Sequence, residues 1–308
     1  MLRALLLYLS HAKWARDVVM KRRLAQRVTR RFVSGETEDE AIEVIRRLNS
    51  LGIFATVDIL GESTTNLDEA RHATNAYLHL ITRISREKLL SWISIKLTAL
   101  GLDIDLQLCL ENMQRILHSA REHDIYVTID MENHSYTQRT IDLFHDLRAE
   151  NFNNVRIAIQ SYLYRSEKDI ITLVGESAGI RLCKGGYKEP ISVAYPKKRD
   201  VDAAYLRQMK ILLKAAKENH GYPGIATHDI KIIEVAKSYA TENNIPHDCF
   251  EFQMLYGIRT VLQEQLAAEG YRMRIYVPFG TQWYPYFIRR LAERPANLWF
   301  FVSNFLRR

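Results

Sequence analysis

Residues 92–131, WISIKLTALGLDIDLQLCLENMQRILHSAREHDIYVTIDM, decide the fold. The run opens with a short β-rich stretch, WISIKL (residues 92–97). It continues into LQLCLENMQRILHSA (residues 106–120), whose apolar residues recur at helical spacing, and returns to a β-rich stretch, IYVTIDM (residues 125–131). A strand, a helix and a second strand in this order predict parallel pairing through a crossover. The same unit recurs outward in both directions. FATVDIL begins at Phe54 on the N-terminal side, and VRIAIQ, GIRLCK, GIATH, CFEFQM and RMRIYVPF begin at Val155, Gly179, Gly224, Cys249 and Arg272 on the other. AAYLRQMKILLKAA (residues 203–216) is another clear intervening helix. Eight such units are the number that closes a (β/α)8 barrel of the TIM type, an α/β fold. Counting alone also admits an open doubly wound sheet, but no G-x-G-x-x-G follows the first strand.

The 308 residues fit a single barrel domain, residues 51–308, preceded by a basic, mainly helical leader over residues 1–50. Hydrophobic residues make up 47% and charged residues 26%, a balance that gives a filled core and excludes global disorder. There are 43 Lys and Arg against 36 Asp and Glu, a formal +7 that favours anionic partners without choosing among them. Basic residues gather between Arg3 and Arg31. They read either as a solvated helix face or as a peripheral contact with an anionic membrane. Cys109, Cys183 and Cys249 form no C-x-x-C pair, which argues against a disulfide framework or structural zinc and for a reducing cytoplasm. The apolar stretch 5–9 is too short to span a bilayer.

A barrel carries its chemistry at the C-terminal ends of its strands. The polar residues ending the eight runs are Asp58, Lys96, Asp130 with Glu132, Gln160, Arg181 with Lys184, Thr227 with His228, Gln253 and Tyr276. Lys96 reads as a Schiff-base lysine, an anion clamp or a structural partner of Asp130. By strand alternation Asp130 and Glu132 project together, a possible divalent-metal pair, with His134 beyond the strand end. The connection from Gly185 to Asp200 is the longest and predicts a functional loop or lid. In it Gly185 and Gly186, flanked by Arg181 and Lys184, read as an anion cradle or as a simple turn. The last helix, WYPYFIRRLAERPAN (residues 283–297), places Tyr286, Arg289, Arg290 and Glu293 on one face. Two guanidinium forks there match one carboxylate, while Arg290 and Glu293 also suit a surface pair.

With these residues in view, the sequence resembles the proline dehydrogenase family, in its monofunctional bacterial form and as the dehydrogenase domain of bifunctional proline utilisation proteins. The resemblance runs in order through SIKLTALGLDID, IDMENHSYTQRT, RLCKGGYKEP, ATHD, FEFQMLYGIR and YVPFGTQWYPYFIRRLAERPAN. It implies a distorted (β/α)8 barrel with the last helix over its mouth, holding FAD non-covalently. The implied reaction is oxidation of L-proline to Δ1-pyrroline-5-carboxylate by hydride transfer to flavin N5, the first step of proline catabolism, with electrons passed to a quinone. It further implies that Arg289, Arg290 and Lys96 hold the proline carboxylate, that Tyr276, Tyr286 and Leu255 line the ring pocket, and that Glu293 orients the arginines. Asp130 and Arg181 are the implied catalytic residues, with Arg181 beside N5. Met131, Gln160, Lys184, Gly185, Gly186, Thr227 and His228 are the implied FAD contacts, and no metal is implied. The chain departs from the family's usual residues at Gly186, at Asn133 and His134, and at Ser161.

Two other classes compete. One is a metal-dependent or Schiff-base aldolase on the same barrel, using Lys96 or the pair Asp130 and Glu132. The other is a nucleic-acid-binding module, motivated only by charge, for which no recognition motif is present.

Overall fold

The computed structural model describes residues 31–293, with side chains described through residue 288. The basic leader up to Arg30 and the side chains of Arg289, Arg290 and Glu293 therefore lie outside the described residues. Helix α1 (Glu38–Ser50) leads into β1 (Phe54–Ile59), and from there strands and helices alternate. They run α2 (Leu67–Arg86), β2 (Ser91–Ile95), α3 (Leu106–Glu122), β3 (Val127–Ile129), α4 (His134–Ala149), β4 (Val155–Gln160) and α5 (Ser166–Gly175). Then come β5 (Gly179–Cys183), α6 (Lys198–Lys217), β6 (Gly224–Ala226), α7 (Ile230–Glu242), β7 (Glu251–Leu255), α8 (Thr260–Ala268), β8 (Met273–Phe279) and α9 (Trp283–Glu293).

The eight strands form one closed barrel in sequence order, all pairs parallel, and β8 returns to β1 with Phe54 opposite Arg274 and Ile59 opposite Phe279. The closed ring is the expected barrel and not the open-sheet alternative. Side-chain alternation sorts the strand residues into two environments. Val57, Ile93, Ile95, Val127, Ile129, Ile157, Ile180, Leu182, Phe252, Met254, Ile275 and Val277 join the apolar core under the helices. The intervening set, including Asp58, Arg181, Glu251, Gln253 and Arg274, is polar, buried and turned inward.

The helices cover the barrel because their apolar residues recur on one side. In α2 the buried positions are Ala70, Thr74, Tyr77, Leu80, Ile81 and Ile84. Their N-termini are capped by side chains of the strand-to-helix loops, Asn66, Asp105, Asn133 and Asp229 among them, which satisfies backbone N–H groups a helix leaves open. Thr37 and Glu40 form a capping box at α1.

Several strands end earlier than the sequence predicts, and in β2, β3 and β6 the shortening moves functional residues off the ladder. Lys96 lies past β2, where a 3-10 turn at Leu97–Leu100 begins. Asp130 and Met131 lie past β3, and Thr227 and His228 past β6. Cys249 falls in a 3-10 turn before β7. The expected long connection spans residues 184–197 and is zipped to the β4–α5 loop: Leu163 bridges Ala194, and Tyr164 N–H donates to Val193 O at 3.0 Å.

Candidate active site

At the C-terminal mouth, side chains from six strands meet. Lys96 Nζ lies 2.9 Å from Asp58 Oδ2 and 3.8 Å from Asp130 Oδ2. Asp130 accepts from Arg181 Nη1 at 2.5 Å through one oxygen and from Tyr276 Oη at 2.7 Å through the other. Arg181 Nε donates to Gln253 Oε1 at 2.7 Å, and its guanidinium carbon sits 5.4 Å from the Tyr276 ring centroid. The cluster joins the ends of β1, β2, β3, β5, β7 and β8 across the barrel, an arrangement only inward-pointing side chains can make. The structure thus brings Lys96, Asp130, Arg181 and Tyr276 into one cluster. It adds Asp58 as the nearer partner of Lys96, beside the Asp130 contact.

Burial and neighbouring charges together bias the protonation states. Burial works against the charge on Lys96, but Asp58 and Asp130 outweigh it and hold the ammonium well above its ordinary value. A Schiff-base lysine needs the opposite, an amine that loses its proton near neutrality, so the aldolase reading of Lys96 fails. Burial, then the Asp130 charge, pushes the Tyr276 phenol well above its ordinary value, so it stays a donor to Asp130. Tyr77 Oη, on α2, closes the far side of Asp58 at 3.4 Å.

Glu132 does not project with Asp130. Because β3 ends at Ile129, alternation stops, and Glu132 turns to Thr98, whose N–H and Oγ1 lie 3.2 and 2.8 Å from its carboxylate. Burial raises its carboxyl to about 7 against those hydrogen bonds. The proposed metal pair is therefore split. His134 instead meets Glu189 of the 184–197 loop through both its N–H and its ring, and Tyr162 Oη donates to the same carboxylate at 3.0 Å. This contact pins the loop beside the mouth.

Several residues assigned to a cofactor lie around this cluster. Gln160 ends β4 and its Nε2 donates to Met131 O at 3.2 Å. Gln160 Oε1 and Arg181 Nη2 are buried and meet no hydrogen-bonding partner among the described residues. Gly185 adopts φ +108°, and a Cβ there would lie 2.4 Å from the Tyr162 ring, so only glycine lets the loop pass. Gly186 beside it is half-buried. Lys184 is engaged by Asp202 at 2.6 Å and Asp229 at 3.1 Å, two carboxylates the sequence reading passed over. Thr227 Oγ1 accepts from Asp229 N–H at 3.1 Å, and His228 Nε2 accepts from Leu255 N–H at 2.9 Å. Tyr286 is buried in α9 and Leu255 half-buried at the end of β7. Among the described residues no three His, Cys, Asp or Glu side chains gather as metal ligands.

A closed eight-stranded barrel whose mouth holds a cation, a carboxylate, a guanidinium and a phenol in mutual contact defines a (β/α)8-barrel enzyme. Comparison with known proteins gives the family. The sequence profile of the proline dehydrogenase family matches residues 41–303. Proline dehydrogenase 2 of Bacillus subtilis (strain 168) is 47% identical over 270 residues, 88% of each chain. Proline dehydrogenase of Deinococcus radiodurans is 41% identical over 281 residues, 90% of this chain and 89% of that one. A crystal structure of proline utilization A (PutA) from Bdellovibrio bacteriovorus, inactivated by N-propargylglycine, superposes with a TM-score of 0.83 at 28% identity. That superposition covers 92% of this chain and 34% of PutA. The chain belongs to the proline dehydrogenase family. It is an oxidoreductase that acts on proline, in proline catabolism.

Proposed function

We propose that the protein oxidises L-proline to Δ1-pyrroline-5-carboxylate with FAD at the barrel mouth, passing the electrons to a quinone. The observation that carries this reading is the pair of unpartnered buried atoms, Arg181 Nη2 and Gln160 Oε1, flanking the Asp130 cluster. One is a donor and the other an acceptor. An unsatisfied buried polar atom costs about 1–3 kcal/mol, so their retention calls for a ligand with complementary groups. The ring nitrogens and carbonyls of a flavin supply them. Gln160, Met131 and Arg181 would hold the ring system, and Lys184, Gly185, Gly186, Thr227 and His228 the remainder of the cofactor. Bound there, FAD supplies the hydride acceptor.

The chain's own residues do the rest. Lys96, kept cationic by Asp58, attracts the proline carboxylate, joined by Arg289 and Arg290 with Glu293 orienting them. Tyr276, Tyr286 and Leu255 shape the wall against which the ring lies. Asp130 has both oxygens occupied by Arg181 and Tyr276, which suits it to positioning and to electrostatic attraction of the substrate amine rather than to proton capture. Arg181 brings a positive charge to the place where negative charge accumulates on reduction.

The visible spectrum of the purified protein tests the cofactor. A flavin spectrum bleached anaerobically by L-proline is expected; a colourless protein, or a flavin untouched by proline, overturns the reading. Arg289→Ala and Arg290→Ala should raise the proline KM at least tenfold with flavin retained, roughly the value of one charge-assisted contact. Unchanged KM in both variants removes the carboxylate assignment.

Among the described residues no helix is long and apolar enough to cross a membrane. For the quinone step we propose a cytoplasmic enzyme that docks peripherally through the basic leader. Salt-sensitive sedimentation with anionic liposomes is the expected result.

A further inference from the structure

Below the mouth, the barrel interior contains a second polar layer that the reaction as described does not use. On β7, Glu251 and Gln253 alternate inward, and on β8 Arg274 does the same; all three are nearly inaccessible. Glu251 Oε1 accepts from Arg274 Nε at 2.8 Å and from Gln253 Nε2 at 2.5 Å. With its nitrogen turned to Glu251, Gln253 leaves Oε1 for Arg181 Nε at 2.7 Å. The opposite orientation of this amide would set two donors against each other at Arg181 and a carbonyl against a carboxylate at Glu251. Glu251 therefore decides which way Gln253 faces.

Glu251 is itself held in place. Arg274 Nη1 donates to Ala55 O at 2.7 Å, and its guanidinium lies 3.5 Å from the Trp92 ring centroid, so the ion pair has no freedom to swing. Burial opposes the Glu251 charge, yet Arg274 and then Arg156 keep its carboxyl below the usual range. The neighbouring strand is shaped to fit the amide. A Cβ on Gly224 would lie 2.4 Å from Gln253 Nε2, so a glycine on β6 makes the room that Gln253 occupies.

We propose that Gln253 is a positioning residue for proline oxidation: oriented by the Arg274–Glu251 pair at the N-terminal ends of β7 and β8, its carbonyl locks the Nε edge of Arg181. With Nη1 locked by Asp130, this leaves Nη2 as the edge of the guanidinium presented to the cofactor. The inference rests on the reading that Arg181 faces the flavin.

The test compares Gln253→Leu and Gln253→Glu as flavin-loaded enzymes. Gln253→Leu keeps the volume and removes the acceptor. Its rate of anaerobic flavin reduction by proline should fall about tenfold, the value of one charge-assisted hydrogen bond, with proline KM within about twofold of the parent. Gln253→Glu restores the acceptor while its introduced carboxyl carries a proton to donate to Glu251, so its rate should recover in acid and fall as pH rises. The parent should lack that limb. A parental rate in flavin-loaded Gln253→Leu overturns the inference, as does an equal loss in both variants at every pH. Should Gln253→Leu fail to fold, the pH profile of Gln253→Glu decides alone, and a profile matching the parent overturns the inference. A parent protein that binds no flavin would instead fail the cofactor reading, a result distinguishable from either.

Discussion

Replacing Asp58 with alanine removes the nearer of the two carboxylates that hold Lys96. Asp58 is wholly buried, and the Lys96 side chain is 9% exposed. At 2.9 and 3.8 Å, with an effective dielectric of about 20, Asp58 and Asp130 attract the ammonium by about 6 and about 4 kcal/mol respectively. The variant keeps only the weaker attraction, set against a desolvation cost of several kcal/mol per ion. Breaking a buried pair from one side costs about 3–5 kcal/mol, which lowers Tm by about 5–8 °C in a domain of this size. The pH dependence gives a second signature. In the parent, Lys96 titrates well above its ordinary value of 10.5, so its stabilisation is intact below that value and is lost only as pH rises through the higher folded value. With Asp58 gone, burial opposes the Lys96 charge with Asp130 as the main offset, so the ammonium should lose its proton at lower pH than in the parent. Thermal melts near neutral pH should show the drop. The proline KM of the variant should climb with alkaline pH where the parent stays flat. A Tm within about 2 °C of the parent, together with parallel KM profiles, would refute the claim that Asp58 keeps Lys96 charged.

Other expectations follow from the same geometry. Tyr276→Phe removes the phenol donor to Asp130 at 2.7 Å and should lower kcat/KM about tenfold, read by steady-state kinetics; an unchanged value would show the hydroxyl idle. Glu132 has a folded value of about 7 against 4.5 for the free side chain, so its contribution is full below about 4.5 and is lost as pH rises to about 7. Glu132→Gln should flatten that window, gaining up to about 3 kcal/mol relative to the parent at neutral pH, and parallel Tm–pH curves would contradict the assignment. Gly185→Ala forces a side chain into the left-handed region against Tyr162, costing about 1–3 kcal/mol locally, and should lower the flavin content after gel filtration. Full flavin occupancy would detach this turn from cofactor binding.

The eight strands were legible because each buried β run is bounded by an amphipathic helix, and a closed parallel ring follows from their number and order. Strand ends were legible only to within two residues. Lys96 and Asp130 lie just past the hydrogen-bonded ladders, where nothing in the local pattern marks the departure, and the misplaced Glu132 follows directly from extending alternation through that point. Asp58 stood among the rim residues without a role, since its partner is set by the register of β1 against β2, which places it opposite Ser94 and so two residues short of Lys96. The inner layer left a signal that went unused. Glu251 and Gln253 alternate with Phe252 and Met254, and Arg274 and Tyr276 with Met273 and Ile275, a pattern that a barrel strand with a polar interior must show. The carboxylate partners of Lys184 were not legible, because Asp202 and Asp229 come from different helices and their loops, remote in sequence.

The seam between β1 and β8 carries a consequence for how the molecule forms. It pairs residues about 220 apart, and Arg274 reinforces it by donating to Ala55 O across a separation of 219. Neither edge strand has its second neighbour until almost the whole chain has been synthesised, so a nascent or truncated barrel exposes two open ladders of backbone donors and acceptors. Closure is thus a long-range event with a high entropic cost, which makes folding slow and cooperative. The ion pair that orients Gln253 also helps fasten this seam, so completing the ring and arming the mouth are one step.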